Sequence, residues 1–492
     1  MPKNNLAQYS TLFYQLIFGG IFLAIILWAS KTMMFGSKTN VMMIGGMMAG
    51  VAIILLMDDY YWLLLPILQA TNINIPGLPF NGFEIGQIAV IIMYFVRKSV
   101  IRTKENSVRL NGDLLIVMPM ILWIFGMYCY KPCGMNILES KMLGGRWYMQ
   151  ILLAFLSLQV MSTWCLDEKQ CKTLYWTMIG ATTLDLTKSL VRSPTLLSFG
   201  PREFSHTSGS LYEFVGFITF FILFFSRHRL YVLVTDLKKL AMVLVSGALV
   251  AYSGKRMMFG WVVMTPVFKL FLTGRDKGLS VFCAIIGIFI ASMIIAGDLV
   301  GMYDLPKSAR RAFATVSPQM REKYGLEGQG DRFRDIVHAE AERQIRMNPW
   351  FGLKGLAVDS TALRLANMFA RGRHNIGHGE ARNWHGALHA YAADFGIPCL
   401  FFFLFFIIVS SVKVIKFCRR NVNITPEFQS TMLLYFSLLY CLRLIAMRTS
   451  GHSSGSTQGF FFVYGMFLAV RNGILDERKK ANGNAVRSLA DI

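Results

Sequence analysis

Residues 382–396 read RNWHGALHAYAADFG, and residues 397–411 continue as IPCLFFFLFFIIVSS. An arginine, two histidines and an aspartate therefore directly precede one of the most hydrophobic runs in the chain. That run is the start of a segment long enough to cross a bilayer. Titratable groups are costly inside hydrocarbon, so their position at the edge of a predicted span points to a function at the membrane surface.

The rest of the chain repeats this apolar character. Of the 492 residues, 54% are hydrophobic, and the mean hydropathy is +0.45. The apolar residues form continuous blocks, which predicts an all-α polytopic membrane protein with about 12–14 transmembrane helices. The predicted spans are 12–30, 39–57, 60–70, 83–97, 112–130, 147–164, 172–190, 211–226, 236–252, 257–272, 279–298, 397–416, 430–447 and 457–471.

The charge distribution predicts the orientation. The formal charge is +22, from 50 Lys and Arg against 28 Asp and Glu. Short basic loops between spans follow the positive-inside rule, which is a better explanation than nucleic-acid binding. The predicted organisation is N-terminal transmembrane helices over 1–298, a large external loop over 299–396, C-terminal transmembrane helices over 397–472, and a cytoplasmic tail over 473–492.

The external loop contains a predicted helix in DRFRDIVHAEAERQIRMNP, residues 331–349. Its apolar and basic positions recur at helical spacing, and the Asn-Pro pair at its end stops it. The positions that set this spacing are Ile336, Ala339, Arg343 and Arg346.

Three predicted external positions gather basic groups at the membrane face: Lys255 with Arg256, Arg332 with Arg334, and His385. Arginine offers a planar fork of donors that holds a phosphate bidentately and stays charged when partly desolvated. Histidine titrates near neutral pH and can accept a hydroxyl proton. This set suits transfer from a lipid diphosphate to a hydroxyl.

Structural interpretations compete with this hypothesis. Arg256 has the spacing of a boundary residue that reaches to the interface, and Arg343 and Arg346 are expected to form a solvated helix face. A metal site formed by the histidines is the further alternative. Few acidic ligands lie near them, so no metal is expected. The histidines concerned are His374, His378, His385 and His389.

Further basic residues are weaker candidates for binding the diphosphate or the glycan. Arg443 and Arg448 fall inside or at the external end of a span, where a charge needs a partner or a function. They either pair with Asp394 or bind diphosphate, and pairing is the preferred interpretation. Arg382 lies three residues before His385 and adds to the same group.

The segment WHGALHAYAADFGIPCLFFFLFF, residues 384–406, resembles the signature of the O-antigen ligase and Wzy-type O-antigen polymerase superfamily. In that signature a histidine precedes an apolar-rich helix that ends in an acidic residue, an apolar residue and glycine before a span. His385, Asp394 and Gly396 match in spacing, and Gly386 stands where the family usually has asparagine.

A second histidine, His374, begins a literal His-Asn pair, but no glycine and span follow it at the right distance, so it ranks below His385. The upstream segment RDIVHAEAERQIRMNPWFGLKG, residues 334–355, is similar to the family pattern of an arginine opening an amphipathic helix, followed by proline, an apolar pair and Gly-x-Gly. The register favours Arg334 over Arg332, although the closing glycine lies one residue further than usual.

YSGKRMMFGWVV, residues 252–263, is similar to the family's Ser-Arg entry into a span, with Lys255-Arg256 in that place. The resemblance covers roughly residues 190–420 and implies a GT-C-type bundle with a periplasmic loop. It also implies an undecaprenyl-diphosphate-linked donor, with no metal or other cofactor. In this reading Arg256 and Arg334 contact the diphosphate, and His385 serves the acceptor hydroxyl.

The resemblance implies a glycosyltransferase in the bacterial inner membrane whose site faces the periplasm. The acceptor is lipid A-core for a ligase, another lipid-linked repeat for a polymerase, or a protein side chain for a third branch. A transporter or flippase of lipid-linked sugars is the rival from another class. It would place its charges near the bilayer midplane on broken helices, often in two repeated halves.

Overall fold

The fold is known from a computed structural model that describes residues 58–71, 81–100, 112–131, 145–192, 236–252, 256–274, 285, 289, 292–305, 310, 317–323, 329–353, 386–447 and 453–490. These residues form helices and the turns between them, with no β-strand among them. The all-α prediction is confirmed for this part of the chain.

A 3-10 helix, Asp58–Leu63, opens the described part. The α-helices before the large loop are α1 (Leu64–Thr71), α2 (Gly82–Val100), α3 (Gly112–Leu115), α4 (Met118–Tyr130), α5 (Gly145–Met161), α6 (Glu168–Arg192), α7 (Leu237–Tyr252) and α8 (Arg256–Thr273). Those of the loop and the C-terminal part are α9 (Pro318–Lys323), α10 (Gln329–Met347), α11 (Ala387–Phe395), α12 (Ile397–Asn421), α13 (Glu427–Ala446) and α14 (Ser453–Ala490).

Most predicted spans in the described residues coincide with a single helix. The 112–130 run instead forms α3 and α4, which are separated by a turn directly before Pro119. The 60–70 run forms the 3-10 helix and α1. The predicted spans 12–30, 39–57 and 211–226 lie outside the described residues, as does most of 279–298. The loop helix predicted over 331–349 is confirmed as α10.

Helix α14 lies at the centre of the packing and contacts both α5 and α13 along its apolar half. Aromatic side chains fill the space between these helices and α12. Tyr440 packs edge-on against Phe460 at 5.6 Å between ring centroids, and Phe406 packs edge-on against Phe461 at 5.4 Å. Such large, buried rings contribute strongly to a core because each removes a large apolar area from water.

Helix α12 is apolar on all sides over its first half, residues 397–409. Its inner face is buried against the bundle, and its outer face is exposed although it carries large hydrophobic side chains. The exposed stripe consists of Ile397, Phe401, Phe405, Ile408 and Val412. Among the described residues, two helices are long and apolar enough to cross a membrane, Ile397–Asn421 and Glu427–Ile445.

The turn between α5 and α6 is held by α14. The backbone N–H of Leu166 donates to Ala469 O at 3.1 Å, and Asn472 Nδ2 donates to Ser162 O at 2.8 Å. At Gly473 the contact is so close that a Cβ would lie 1.9 Å from Leu166 O. Any side chain at this position would therefore separate α14 from the turn.

Glu168, the first residue of α6, caps a neighbouring helix. Its carboxylate accepts hydrogen bonds from the backbone N–H of Phe428 at 2.9 Å and of Gln429 at 2.8 Å. These N–H groups belong to the first turn of α13 and have no partner within that helix. The carboxylate thus fixes α13 against α6 and complements the positive end of the α13 dipole.

We expect Glu168→Ala to lower the free energy of unfolding by about 1–2 kcal/mol, because two N–H groups of α13 lose a charged acceptor. Thermal unfolding of the purified chain in detergent measures this change. Glu427→Ala is the matched control, since exposed Glu427 lies in the same first turn and carries the same charge. An equal loss in both variants would show that the dipole alone, and not the hydrogen bonds, stabilises α13.

Candidate functional site

The structure describes the side chain of one predicted site residue, only the backbone of three others, and none of the rest. Arg443 is placed with its side chain in α13. The backbone of Arg256 begins α8, and those of Arg332 and Arg334 lie in the first turns of α10. The remaining candidates lie outside the described residues: His385, His374, Arg382, Lys255 and Arg448.

The two loop segments that carry the family resemblance pack against each other. Helix α10 contacts α11 through Val337 and Ala341 on one side and Ala390 and Ala393 on the other. Three of these four side chains are alanine, which allows the two helix backbones to approach closely. The described parts of the two stretches, 334–353 and 386–406, are thereby joined in one structural unit.

Two histidines stack where α10 meets α11. The rings of His338 and His389 lie 4.3 Å apart between centroids with 13° between their planes. His389 Nε2 is also 4.0 Å from Glu342 Oε1. His338 Nε2 is buried and makes no hydrogen bond in the described residues. Sequence spacing places His338 and Glu342 on one face of α10, but only the packing of α11 supplies His389.

These side chains do not form a metal centre in this arrangement. Stacked rings present their faces to each other, so their nitrogen atoms do not converge on one point as metal ligands must. Within the described residues no group of three or more His, Cys, Asp and Glu side chains is arranged to hold a metal ion.

The outer face of α10 is solvated. Arg343 donates to Glu340 at 2.7 Å, and this hydrogen bond holds the pKa of the Glu340 carboxyl below its ordinary value. Arg346 lies 3.8 Å from Glu342 and is strongly exposed. The prediction that Arg343 and Arg346 form a solvated helix face is confirmed, so neither is a binding candidate.

The turn after α10 and the junction between α11 and α12 interlock through two glycines. Gly352 has φ of +54° and Gly396 has φ of +88°, which side-chain-bearing residues rarely adopt. A Cβ at Gly396 would lie 2.1 Å from Trp350 O, and one at Gly352 would lie 2.5 Å from Ala393 O. The two backbones therefore touch directly, and we call this contact the glycine junction.

Two backbone hydrogen bonds stabilise the glycine junction. The N–H of Leu353 donates to Ala393 O at 2.7 Å, and the N–H of Ile397 donates to Pro349 O at 2.8 Å. The second bond also satisfies a donor at the first turn of α12. The Asn-Pro turn of the loop is thus fixed to the start of the apolar helix.

Aromatic residues of α4 support the same junction. Trp123 Nε1 donates to Phe395 O at 2.8 Å, and the Trp123 ring stacks on Phe351 at 6.0 Å between centroids. Tyr130 stacks on the same Phe351 at 6.3 Å. These rings border a shallow apolar groove of about 430 Å³. Its lining comprises Pro119, Leu122, Trp123, Gly126, Met127, Tyr130, Phe351 and Phe402.

Helix α11 is also held by contacts with α13 and α14. The N–H of Ala387 donates to Met447 O at 2.8 Å. One turn later, the buried Tyr391 hydroxyl hydrogen-bonds Thr457 Oγ1 of α14, and its ring stacks on Phe403 at 4.1 Å. The first turn of α11, which begins two residues after His385 in the sequence, is therefore fixed to the C-terminal bundle.

Arg443 lies in the last turn of α13 and packs against α14. A Cβ at Gly459 would lie 2.2 Å from Arg443 Nη1. Arg443 Nε is buried, and its guanidinium forms no hydrogen bond or ion pair with any described residue. The preferred pairing of Arg443 with Asp394 is therefore wrong. Asp394 lies at the far end of α11, roughly 10 Å along the helix axis from Ala387.

A buried polar network that sequence reasoning missed lies at the starts of α2, α5 and α14. Asn81 Oδ1 and the Glu84 carboxylate cap each other's backbone N–H groups at the start of α2. Glu84 is fully buried and also accepts a hydrogen bond from Gln150 Nε2 of α5. Gln458 Nε2 of α14 donates to Gln87 Oε1 at 3.4 Å. Glu84 and Gln87, three residues apart inside an apolar run, were the available sequence signal.

No known protein family matches this chain, and no curated protein matches it.

We expect Gly396→Ala to destabilise the protein by more than roughly 2 kcal/mol, because the added Cβ meets Trp350 O and the φ of +88° is strained. Size-exclusion profiles and melting temperatures of the purified chain measure the loss. Gly180→Ala is the control, since Gly180 is exposed on α6 and nothing lies within 4 Å of an added Cβ. Wild-type stability of Gly396→Ala would contradict the glycine junction.

Proposed function

We propose that this chain is a membrane-embedded glycosyltransferase of the O-antigen ligase and polymerase type. One observation carries the proposal: the two loop segments with the family's motif pattern, far apart in sequence, pack into one unit through the glycine junction. The same unit contacts the end of the bundle where Arg443 lies, and no described residue supplies a counter-charge to this arginine. Such a convergence of motif-bearing segments is what a shared active site requires.

The polytopic membrane location is supported by the exposed side chains of several helices. A soluble protein rarely exposes large contiguous apolar surfaces. Here the exposed large hydrophobic residues recur on the outer faces of α4, α6, α7 and α12. On α12 the exposed positions follow spacings of three and four residues, which is one continuous face of a helix. A lipid environment would cover these faces without further protein.

The proposed reaction moves a glycan from an undecaprenyl diphosphate carrier to a hydroxyl group. The acceptor oxygen attacks the anomeric carbon, and the bond from that carbon to the diphosphate oxygen breaks with inversion. Arg256 and Arg334 stabilise the charge that develops on the leaving diphosphate. His385 orients the acceptor and takes its proton. The carrier stays in the membrane and the sugars stay in water, so these groups belong at the boundary.

The acceptor defines the branch of the family. Lipid A-core as acceptor corresponds to a ligase, a second lipid-linked repeat to a polymerase, and a protein side chain to the third branch. The surface glycan of a deletion strain separates the first two. Uncapped core with accumulated polymer indicates a ligase, whereas core capped by single repeats indicates a polymerase.

A transporter or flippase of lipid-linked sugars is the second candidate, and one observation favours it. The fully buried Glu84 carboxylate and its glutamine neighbours place polar groups inside the bundle, as transport pathways do. The glycosyltransferase remains preferred because the motif-bearing segments meet in the loop and at helix ends. Transporters instead place their charges near the bilayer midplane on broken helices.

Labelling of single cysteines tests the membrane orientation. Met302 and Ile424 are both strongly exposed, the first after the 292–300 helix and the second between α12 and α13. In spheroplasts of a cysteine-free background, we expect an impermeant maleimide to label Met302→Cys directly. Ile424→Cys should react only after permeabilisation. Direct labelling of both positions would show that the chain between them does not cross the membrane as proposed.

A transfer assay in membranes tests the activity. The donor is a lipid-diphosphate-linked oligosaccharide, supplied without metal or nucleotide sugar. We expect wild-type transfer, and a loss of at least about 100-fold in His385→Ala and Arg334→Ala at equal protein level, because the general base and an electrostatic group are removed. Arg343→Ala is the control, since this exposed arginine lies on the solvated face of α10.

The outcomes distinguish the alternatives. Transfer that survives both changes would place the site elsewhere, with His374 and Arg332 as the next residues to replace. Absence of transfer by the wild-type chain to every acceptor, together with uptake of the lipid-linked sugar into vesicles, would support the transporter instead.

A further inference from the structure

Arg443 lies between two points at which α13 and α14 contact α11. On one side, the carbonyl of Met447, one turn after Arg443, accepts the N–H of Ala387 in α11. On the other, Thr457 of α14 binds Tyr391 of α11, and Gly459 follows two residues later against the guanidinium. The residues that follow Arg443 in α13 and precede Gly459 in α14 therefore both contact α11.

The charge of Arg443 is not compensated by the described protein. Burying a guanidinium without a hydrogen-bond acceptor costs free energy. The same cost explains why proteins lose stability when one partner of a buried ion pair is removed. The N-terminal residue that precedes α11, Gly386, offers no side-chain cap, so this helix end also favours a negative charge. Both features favour an anion at this place.

Gly459 explains how the guanidinium is accommodated. Alanine at this position would place a Cβ 2.2 Å from Nη1 and 2.7 Å from Cζ. Glycine in the interior of a helix costs stability relative to alanine. Here the absence of a side chain creates the space in which the planar guanidinium lies against the backbone of α14. Arg443 as a whole residue is of intermediate exposure, and its Nε is buried without a hydrogen-bond partner.

We infer that Arg443, held against Gly459, binds a phosphate group of the diphosphate in the lipid-linked donor, an assignment that rests on the proposed function. Arginine presents paired N–H donors that match two oxygens of one phosphate. Arg443 is distinct from Arg256 and Arg334, the residues to which the family resemblance assigns this role. It would supply a contact from the C-terminal bundle to the donor, next to the turn that follows His385.

Binding to the purified full-length chain in nanodiscs tests this assignment. The probe is undecaprenyl diphosphate, and undecaprenol is the comparison without phosphate. The variants are Arg443→Met, Arg443→Lys and Gly459→Ala. Arg420→Met is the matched control, because Arg420 is exposed at the opposite end of α12 and its replacement removes the same charge.

We expect Arg443→Met to weaken undecaprenyl diphosphate binding roughly 10- to 100-fold, the effect of losing a charged hydrogen bond. Arg443→Lys should weaken it less, since the point charge remains without the fork. Gly459→Ala should also weaken it, because the Cβ displaces the guanidinium. Arg420→Met should bind as the wild type does. Unchanged binding in Arg443→Met, or equal binding of undecaprenol by the wild type, would overturn the assignment.

Two further binding measurements test whether Arg443 instead binds free pyrophosphate or a phospholipid headgroup. Inorganic pyrophosphate should compete only weakly, since it lacks the lipid chain. Nanodiscs rich in phosphatidylglycerol should leave the difference between wild type and Arg443→Met intact. If phosphatidylglycerol abolishes that difference, Arg443 contacts a lipid headgroup and the assignment fails.

Thermal stability separates a binding role from a structural one. An uncompensated charge kept for function should be replaceable by methionine with an equal or higher melting temperature. A lower melting temperature with unchanged binding would show that Arg443 is structural. Transfer measured in the same nanodiscs distinguishes this inference from the proposed function. If transfer is absent but binding depends on Arg443, the glycosyltransferase function is rejected and the role of Arg443 is kept. If transfer is normal but binding does not depend on Arg443, only the role of Arg443 is rejected.

Discussion

The direct contact between the backbones at Gly352 and Gly396 determines how the end of α10 sits on the helical bundle. Neither position can carry a side chain, because a Cβ at Gly396 would lie 2.1 Å from Trp350 O and one at Gly352 would lie 2.5 Å from Ala393 O. Both glycines also adopt positive φ angles that other residues rarely take. Steric exclusion and backbone conformation thus act together, and they fix the end of α10 to the start of α12.

Helix α11 connects the glycine junction to the other elements of the candidate site. It has nine residues, most of them buried, and it is bound at both ends. Its first half is tied to α13 and α14 through Ala387 and Tyr391. Its last turn is tied to α4 through Phe395 and to the turn after α10 through Ala393. A helix held by so many separate elements has little freedom to shift. The residues that precede it therefore start from a fixed point at the end of the bundle.

The electrostatics of this end contrast with the apolar exterior. The outer face of α12 presents large hydrophobic side chains, whereas the bundle interior holds Glu84 with its hydrogen-bonding neighbours and Arg443, whose Nε has no partner among the described residues. Buried polar groups are retained only where hydrogen bonds or ligands compensate their desolvation. Glu84 has such bonds from Gln150 and from the N–H of Asn81. Arg443 has none from the described residues, which is the observation behind its proposed role in binding an anion.

The sequence alone determined the helical class, the positions of most described helices and the end of α10 at Asn348-Pro349. These features follow from local composition and periodicity, which act over a few residues. It also predicted the solvated face of Arg343 and Arg346. The pairing of Arg443 with Asp394 was wrong because the packing of α13 places the guanidinium against Gly459 of α14. Only the tertiary structure brought His389 onto His338, Gly352 onto Gly396 and Gly459 beside Arg443. Each of these contacts joins segments distant in sequence, and close packing between separate helices, not local propensity, decides which of them meet.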